Sequence, residues 1–272
     1  MKIELLDLKK EQIFRWFGDL FSNSISAVEG KKITDGKIEY FKQEFFKQFF
    51  VNFKSIQKIY PSLVLTYKGK EVEISSLASV AVLTRACLEN YSIFFYIYRE
   101  SKNEEDIYFK FWSWYREGLI RRQKFIISHN VEKQKEEKEI IDNLYNELKK
   151  FSIYNGFTQK QKNKFESSGK WYFHYKNVLI EKAGFSHALA NNCYNFFSSY
   201  AHPCSSSQLQ TSQADFEAST NIADIVLNGL FISAGLYLQN YSIFFDEVKM
   251  IINDKDKEFI LTWCELGEEL MK

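Results

Sequence analysis

The stretch IEYFKQEFFKQFFVNFKSIQKIY, residues 38 to 60, decides the fold class. Its aromatic residues return at three- and four-residue steps, with Lys, Gln and Asn between them. That spacing gathers the rings on one side of an α-helix and gives it a wide buried stripe. A half-buried strand would alternate every second residue instead. Pro61 ends the run, because its ring fixes φ and removes a backbone donor.

The same period extends outward in both directions. DLKKEQIFRWFGDLF (7 to 21) places Leu5, Ile13, Phe14 and Phe17 roughly in phase. LVLTYKGKEVEI (63 to 74) is the exception, two alternating β-branched runs about a Lys-Gly-Lys turn, and predicts a hairpin. Ser75 and Ser76 then stand where N-caps belong, before a helix reaching about Arg99. Asn103 and the acidic residues after it open a helix over about 105 to 129. A charged helix over 133 to 150 follows, with Ile140, Ile141, Leu144 and Leu148 as its apolar seam. Residues 152 to 170 read as a linker with one short helix, and WYFHYKNVLIEKA (171 to 183) as a helix stopped by Gly184. Further helices are expected from Ser186 to about Ala201, from about 215 to 245, and from about 254 to 270.

Composition agrees with that reading. Two prolines among 272 residues leave long helices unbroken, and 45% hydrophobic content with 26 Phe and 16 Tyr supplies a large core. A net charge of +1 leaves nucleic-acid binding to a local patch rather than to the whole chain. The cysteines, Cys87, Cys193, Cys204 and Cys264, show no paired spacing and read as reduced thiols of a cytoplasmic protein. The apolar run 222 to 238 falls short of the ~20 residues a bilayer crossing needs, so a buried helix and no membrane partner are expected. The expected architecture is all-α, with an N-terminal helical extension over 1 to 62 and a helical bundle over 63 to 272. LENYSIFF (88 to 95) and LQNYSIFF (238 to 245) echo one another, through an ancient duplication, by coincidence, or because two helices meet one core.

Between Lys182 and Asp215 no Asp, Glu, Lys or Arg occurs, in a chain that is 26% charged. At 100° per residue, His187, Asn191, Asn195, Ser198 and His202 share one face of the helix there, with Tyr194 at its margin. Leu189, Cys193, Phe196 and Tyr200 lie opposite. Such a face is either a satisfied polar network or the lining of a cleft in which His202 moves protons near neutral pH. Arg85 and Glu89 form a second candidate, four residues apart on an otherwise apolar helix. They are either a structural clamp or an arginine held ready for an anion. A third is the basic run Arg116, Arg121, Arg122 and Lys124, interleaved with Trp112, Trp114 and Tyr115. It is either a stacking surface for single-stranded nucleic acid or an ordinary amphipathic helix. His129, His174, His187 and His202 have no metal-ligand spacing, and phosphate-loop, dinucleotide and nucleophile-elbow motifs are absent, so no metal or cofactor is expected.

RACLE at Arg85 to Glu89 and YNFFSSYAHP at Tyr194 to Pro203, behind the tryptophan-headed KWYFHYKNVLIEKAGFS, are similar to a bacterial domain-of-unknown-function family related to the HEPN helical superfamily. The resemblance covers about 75 to 240. It implies a HEPN-like bundle, commonly a homodimer, and metal-independent RNA cleavage in toxin or antiphage roles. There a His and an Arg on one helix promote attack of the RNA 2′-hydroxyl on the adjacent phosphate. Here the position of that Arg holds Asn195, so Arg85 would have to supply the charge. The candidate catalytic set, from the residues and the resemblance together, is His202, Asn195, Ser198 and Arg85, with Glu89, Tyr194, Asn191, His187, Arg116, Arg121 and Arg122 as candidate binding residues. The alternative is a non-enzymatic helical module whose Arg85/His202 cluster is structural or a dimer seam.

Overall fold

The computed structural model describes residues 8–29, 36–67, 69–124, 131–201 and 216–269. The protein is all-α, with one two-stranded hairpin as its only sheet among these residues. It groups into two compact units, Met1–Phe95 with Lys176–Lys272, and Tyr96–Tyr175. These limits differ from the expected extension and bundle.

The first unit begins with helices α1 (Lys10–Val28) and α2 (Lys37–Ile59). The period read from the sequence becomes burial. Ile13, Phe14, Phe17 and Phe21 of α1 and Phe46, Phe49 and Phe53 of α2 are withdrawn from solvent, each Phe contributing about 2–3 kcal/mol relative to an exposed ring. The hairpin follows, β1 (Ser62–Tyr67) antiparallel to β2 (Lys70–Ser75). Ser76 precedes α3 (Leu77–Phe94), but its hydroxyl donates to the Pro61 carbonyl at 2.9 Å instead of capping. Ser75 Oγ accepts from the Leu77 amide at 3.4 Å. The helix continues toward Arg99 as a π-helical turn, Phe95–Arg99.

The chain returns to this unit in α8 (Lys176–Lys182), α9 (His187–Ala201), α10 (Phe216–Tyr241), α11 (Asp246–Ile251) and α12 (Asp254–Glu269). Helix α3 packs against α2, α9 and α10, while α10 packs against α12 as well. Within α10, Ile222–Tyr241 is long and apolar enough to cross a membrane, so the shorter length expected from 222 to 238 is corrected; most of it is buried inside the protein, the placement of a core helix. The two echo segments meet there. Phe94 and Phe244 contact edge-on with ring centroids 5.8 Å apart, and Asn240 Nδ2 donates to the Tyr91 hydroxyl at 3.0 Å. Helix α11 is an element the sequence reading lacked.

The second unit holds α4 (Glu104–Arg122), α5 (Val131–Leu148), α6 (Ser152–Asn155) and α7 (Gln159–Ser168), with α4 packed on α5 and α7. Asn103 caps α4 as read, its side chain accepting from the Asp106 amide at 2.8 Å. The supposed linker contains two helices. Thr158 and Gln161 form a capping box at the start of α7, and Gly169 ends it in the left-handed region at φ 70°. The helix expected over 171 to 183 shrinks to α8. Residues 171–175 carry no regular structure; Trp171 packs on Tyr96 and Phe173 on Phe157, which an unbroken helix would not allow together.

Candidate functional site

Helix α9 turns one face inward and one outward. Leu189 and Tyr200 of the expected apolar back are buried, with Ala190 and Phe197 beside them, while Phe196 is half-buried. On the front His187 and Asn195 are exposed, while Asn191, Tyr194 and Ser198 are half-buried. The Ser186 hydroxyl accepts from the Leu189 amide at 3.3 Å and starts the helix. Helix α9 lies against α3, and Tyr194, at the margin of this front, reaches Arg85 there.

Arg85 is the centre of the contact. Its Nε donates to Glu89 Oε1 at 3.0 Å within α3, and its Nη2 donates to the Tyr194 hydroxyl at 3.3 Å on α9. The guanidinium carbon also sits 5.1 Å from the Tyr194 ring centroid, within cation–π range. Burial pulls the Arg85 pKa down, but the Glu89 charge, Tyr194 and the hydrogen bonds to both outweigh it and raise it. Tyr194 is raised as well, first by burial and then by Glu89, with Arg85 acting in the opposite direction. The result is a permanent cation and a neutral phenol, about a quarter of the Arg85 side chain remaining exposed.

The remaining front residues divide. The Ser198 hydroxyl donates to the Tyr194 carbonyl at 2.6 Å, one turn back on its own helix. Asn191 joins a chain that the sequence reading missed, because two of its members lie on α8. Asn177 Nδ2 donates to Asn191 Oδ1, Asn191 Nδ2 lies 2.8 Å from His187 Nε2, and His187 Nδ1 lies 3.1 Å from Glu181 Oε2. With Nε2 accepting from the amide, the imidazole proton belongs on Nδ1, facing Glu181. His187 and Asn191 thus orient one another rather than pointing at Arg85. His202, together with Cys204 and the serine-rich stretch after it, lies outside the described residues.

The basic helix is corrected in part. Arg116 is buried, donating to the carbonyls of Phe165 at 2.7 Å, Ile141 at 3.2 Å and Glu166 at 3.3 Å, and it stacks on Tyr145 and Phe165. It joins α4 to α5 and α7 and offers nothing to a strand of nucleic acid. Arg121 and Arg122 are exposed and paired with Glu117 at 2.8 Å and Glu137 at 2.6 Å. Trp112, Trp114 and Tyr115 are half-buried against Phe111 and one another. Cys87 and Cys264 are buried thiols whose pKa burial pushes up, Cys264 to about 12. Among the described residues no cluster of three or more His, Cys, Asp or Glu is placed to hold a metal ion.

No family model, no curated protein and no solved structure matches this chain.

Proposed function

We propose that this is a bacterial, cytoplasmic, HEPN-like protein that binds or cleaves RNA without a metal ion, in a toxin or antiphage defence role. Its site is composed of Arg85, Asn195, Ser198 and His202. One observation carries the reading: a charged guanidinium, held from two sides by Glu89 and Tyr194, stands partly exposed beside the uncharged polar face of α9. A cation fixed in that way attracts a phosphate and stabilises the charge that builds on it as the 2′-hydroxyl attacks. Proton transfer falls to His202, the residue after the last of α9. Asn195 offers a hydrogen bond but no charge, so the electrostatic part rests on Arg85 alone.

A second reading has its own observation. Glu89 already neutralises Arg85, and the Ser198 hydroxyl is committed to its own helix, as in a structural clamp between α3 and α9. Purified protein incubated with single-stranded and structured RNA in the presence of a chelator separates the two. Cleavage leaving 2′,3′-cyclic phosphate ends, lost in His202→Ala at an unchanged melting temperature, supports the first. Absence of both cleavage and RNA binding leaves the clamp.

A further inference from the structure

The second unit contains a cleft of about 210 Å³ that none of the residues of the proposed RNA site line. Its walls are mostly aromatic, Tyr96, Phe109, Phe157, Trp171 and Phe173, with Ile153 as the one aliphatic side chain. Three polar side chains interrupt them, Lys110, Gln161 and His174. Each is in a definite state. Lys110 Nζ donates to the Tyr96 carbonyl at 3.0 Å and lies 4.2 Å from the Tyr96 ring centroid, which places an ammonium against the wall. The Gln161 side-chain oxygen accepts from the Thr158 amide at 2.8 Å and the Thr158 hydroxyl at 3.0 Å; its NH₂ is therefore the group it has to offer. His174 is exposed, its ring 5.6 Å from that of Tyr172.

We propose that this cleft binds a nucleotide, the base inserted among the aromatic walls and the phosphate left outside on the lysines of α7 and its flanks. Size argues first for a single planar ring system. Drug-sized ligands take about 300–1,000 Å³, and this cleft is smaller, so a base enters while ribose and phosphate remain in solvent. Chemistry argues for a base over an aliphatic chain. Aromatic faces accept any base by stacking, and the Gln161 amide and the His174 ring read the polar edge that an aliphatic chain lacks. Charge argues for the phosphate. Between Phe157 and Tyr175 the sequence holds Lys160, Lys162, Lys164 and Lys170 against Glu166 as the one acid. Lys160, Lys164 and Lys170 are exposed. Lys160 and Lys164 stand within one turn of Gln161 on α7. Aromatic and basic residues thus interleave around α7.

Two sources carry this chemistry, a free mononucleotide or one unstacked residue of a single strand. The site is independent of Arg85, and the test keeps the two apart. Full-length protein is titrated with AMP, UMP and adenosine by calorimetry, and with fluorescein-labelled rU10 and rA10 by anisotropy. Binding of a mononucleotide identifies a free-nucleotide site; binding of the decamers alone identifies a strand. Either supports the proposal if His174→Ala weakens it about fivefold and the Lys160→Glu/Lys164→Glu pair about tenfold, both positions being exposed and neutral to folding. The Lys135→Glu/Lys138→Glu pair, exposed on α5 and outside both sites, serves as the charge-matched control and leaves these affinities unchanged. The proposal is overturned if no probe binds, if adenosine binds as tightly as AMP, or if the cleft variants bind as the parent does. Loss of binding in Arg85→Ala with the cleft variants unaffected would overturn it too, and would place the ligand at the α3–α9 contact instead.

Discussion

Arg85 and Tyr194, 109 positions apart in sequence, are joined by a 3.3 Å hydrogen bond and by the guanidinium lying against the phenol ring. The pair ties α3 to α9, and its two halves can be separated by substitution. Tyr194→Phe keeps the ring and removes the acceptor, so it should cost about 0.5–1.5 kcal/mol at most. Arg85→Ala removes the cation and leaves Glu89 without its intrahelical partner. If Arg85 exists to hold a phosphate, Arg85→Lys should lose most RNA affinity while its melting temperature stays near that of the parent. A lysine keeps the charge but not the forked geometry. Anisotropy with labelled RNA and thermal melting of the same three variants give the two readouts. Equal losses in both would assign Arg85 to the clamp.

Tyr91 stands where the echo segments meet. Its hydroxyl donates to the Ala183 carbonyl at 2.8 Å and accepts from Asn240 at 3.0 Å, and the ring is fully buried. Tyr91→Phe leaves a buried carbonyl and an amide without that partner, a cost of about 1–3 kcal/mol. Asn240→Ala removes a donor that also serves the Leu236 carbonyl at 2.8 Å, and should cost a similar amount. Because both act on one network, the double variant should be destabilised by less than the two single losses added. Chemical denaturation of the four proteins measures the coupling, and strict additivity would refute it.

How much of this was legible depended on whether a signal was local. The 38 to 60 stretch became α2 within one residue at either end, since its aromatic period and Pro61 both act within a few residues. Asn103 and Ser186 announced their helices for the same reason. The wheel placed Leu189 and Tyr200 on the buried side of α9, but the partners of its polar residues had no local signal. Asn177 and Glu181 lie on a neighbouring helix, and their approach to His187 is a tertiary fact with no sequence period. Arg116 shows the opposite failure. A charged residue on a Trp-rich helix suggested a surface, while three distant carbonyls and two rings made burial cheaper. The 171 to 183 run failed because Trp171 and Phe173 find ring partners only when the chain is not helical.

Gly169 tests the turn that sets up the aromatic cleft. It closes α7 with its amide on the Phe165 carbonyl at 3.0 Å, while the Lys170 amide reaches Lys164 at 3.3 Å. A Cβ at this position would lie 2.8 Å from Ile120 Cδ1 and 3.0 Å from Glu117 Cα, in addition to the strain of φ 70°. The left-handed backbone alone costs a non-glycine residue about 1–2 kcal/mol, and the clash with backbone adds about 1–3 kcal/mol of overpacking. Gly169→Ala should therefore lower the stability of the second unit markedly. By contrast Gly118→Ala, which meets nothing within 4 Å in mid-helix, should be neutral or slightly stabilising. Hydrogen exchange resolved to residues 96 to 175 would show the difference; equal protection in both variants would contradict the geometry.

Alkali should unfold this protein before it affects one with solvent-exposed tyrosines. Burial pushes the Tyr96 hydroxyl up to about 12, with Glu100 and Asp106 adding to it. Burial raises Tyr172 and Tyr241 as well, and their acidic or tyrosine neighbours act in the same direction. In each case the folded protein keeps a phenolic proton that the unfolded chain gives up near pH 10. The unfolded state thus binds fewer protons above that point, and stability falls as pH rises. For Tyr96 the loss runs from about pH 10 to about 12 and amounts to on the order of 2 kcal/mol. Below pH 9 these groups contribute no slope at all. Melting temperatures at pH 8, 10 and 11, read beside tyrosinate absorbance at 295 nm, should show unfolding and ionisation of the buried phenols in the same step. Tyr96→Phe should flatten the descent above pH 10. A stability profile that stays level through pH 11, with tyrosinate forming before the chain unfolds, would mean that these rings are open to solvent.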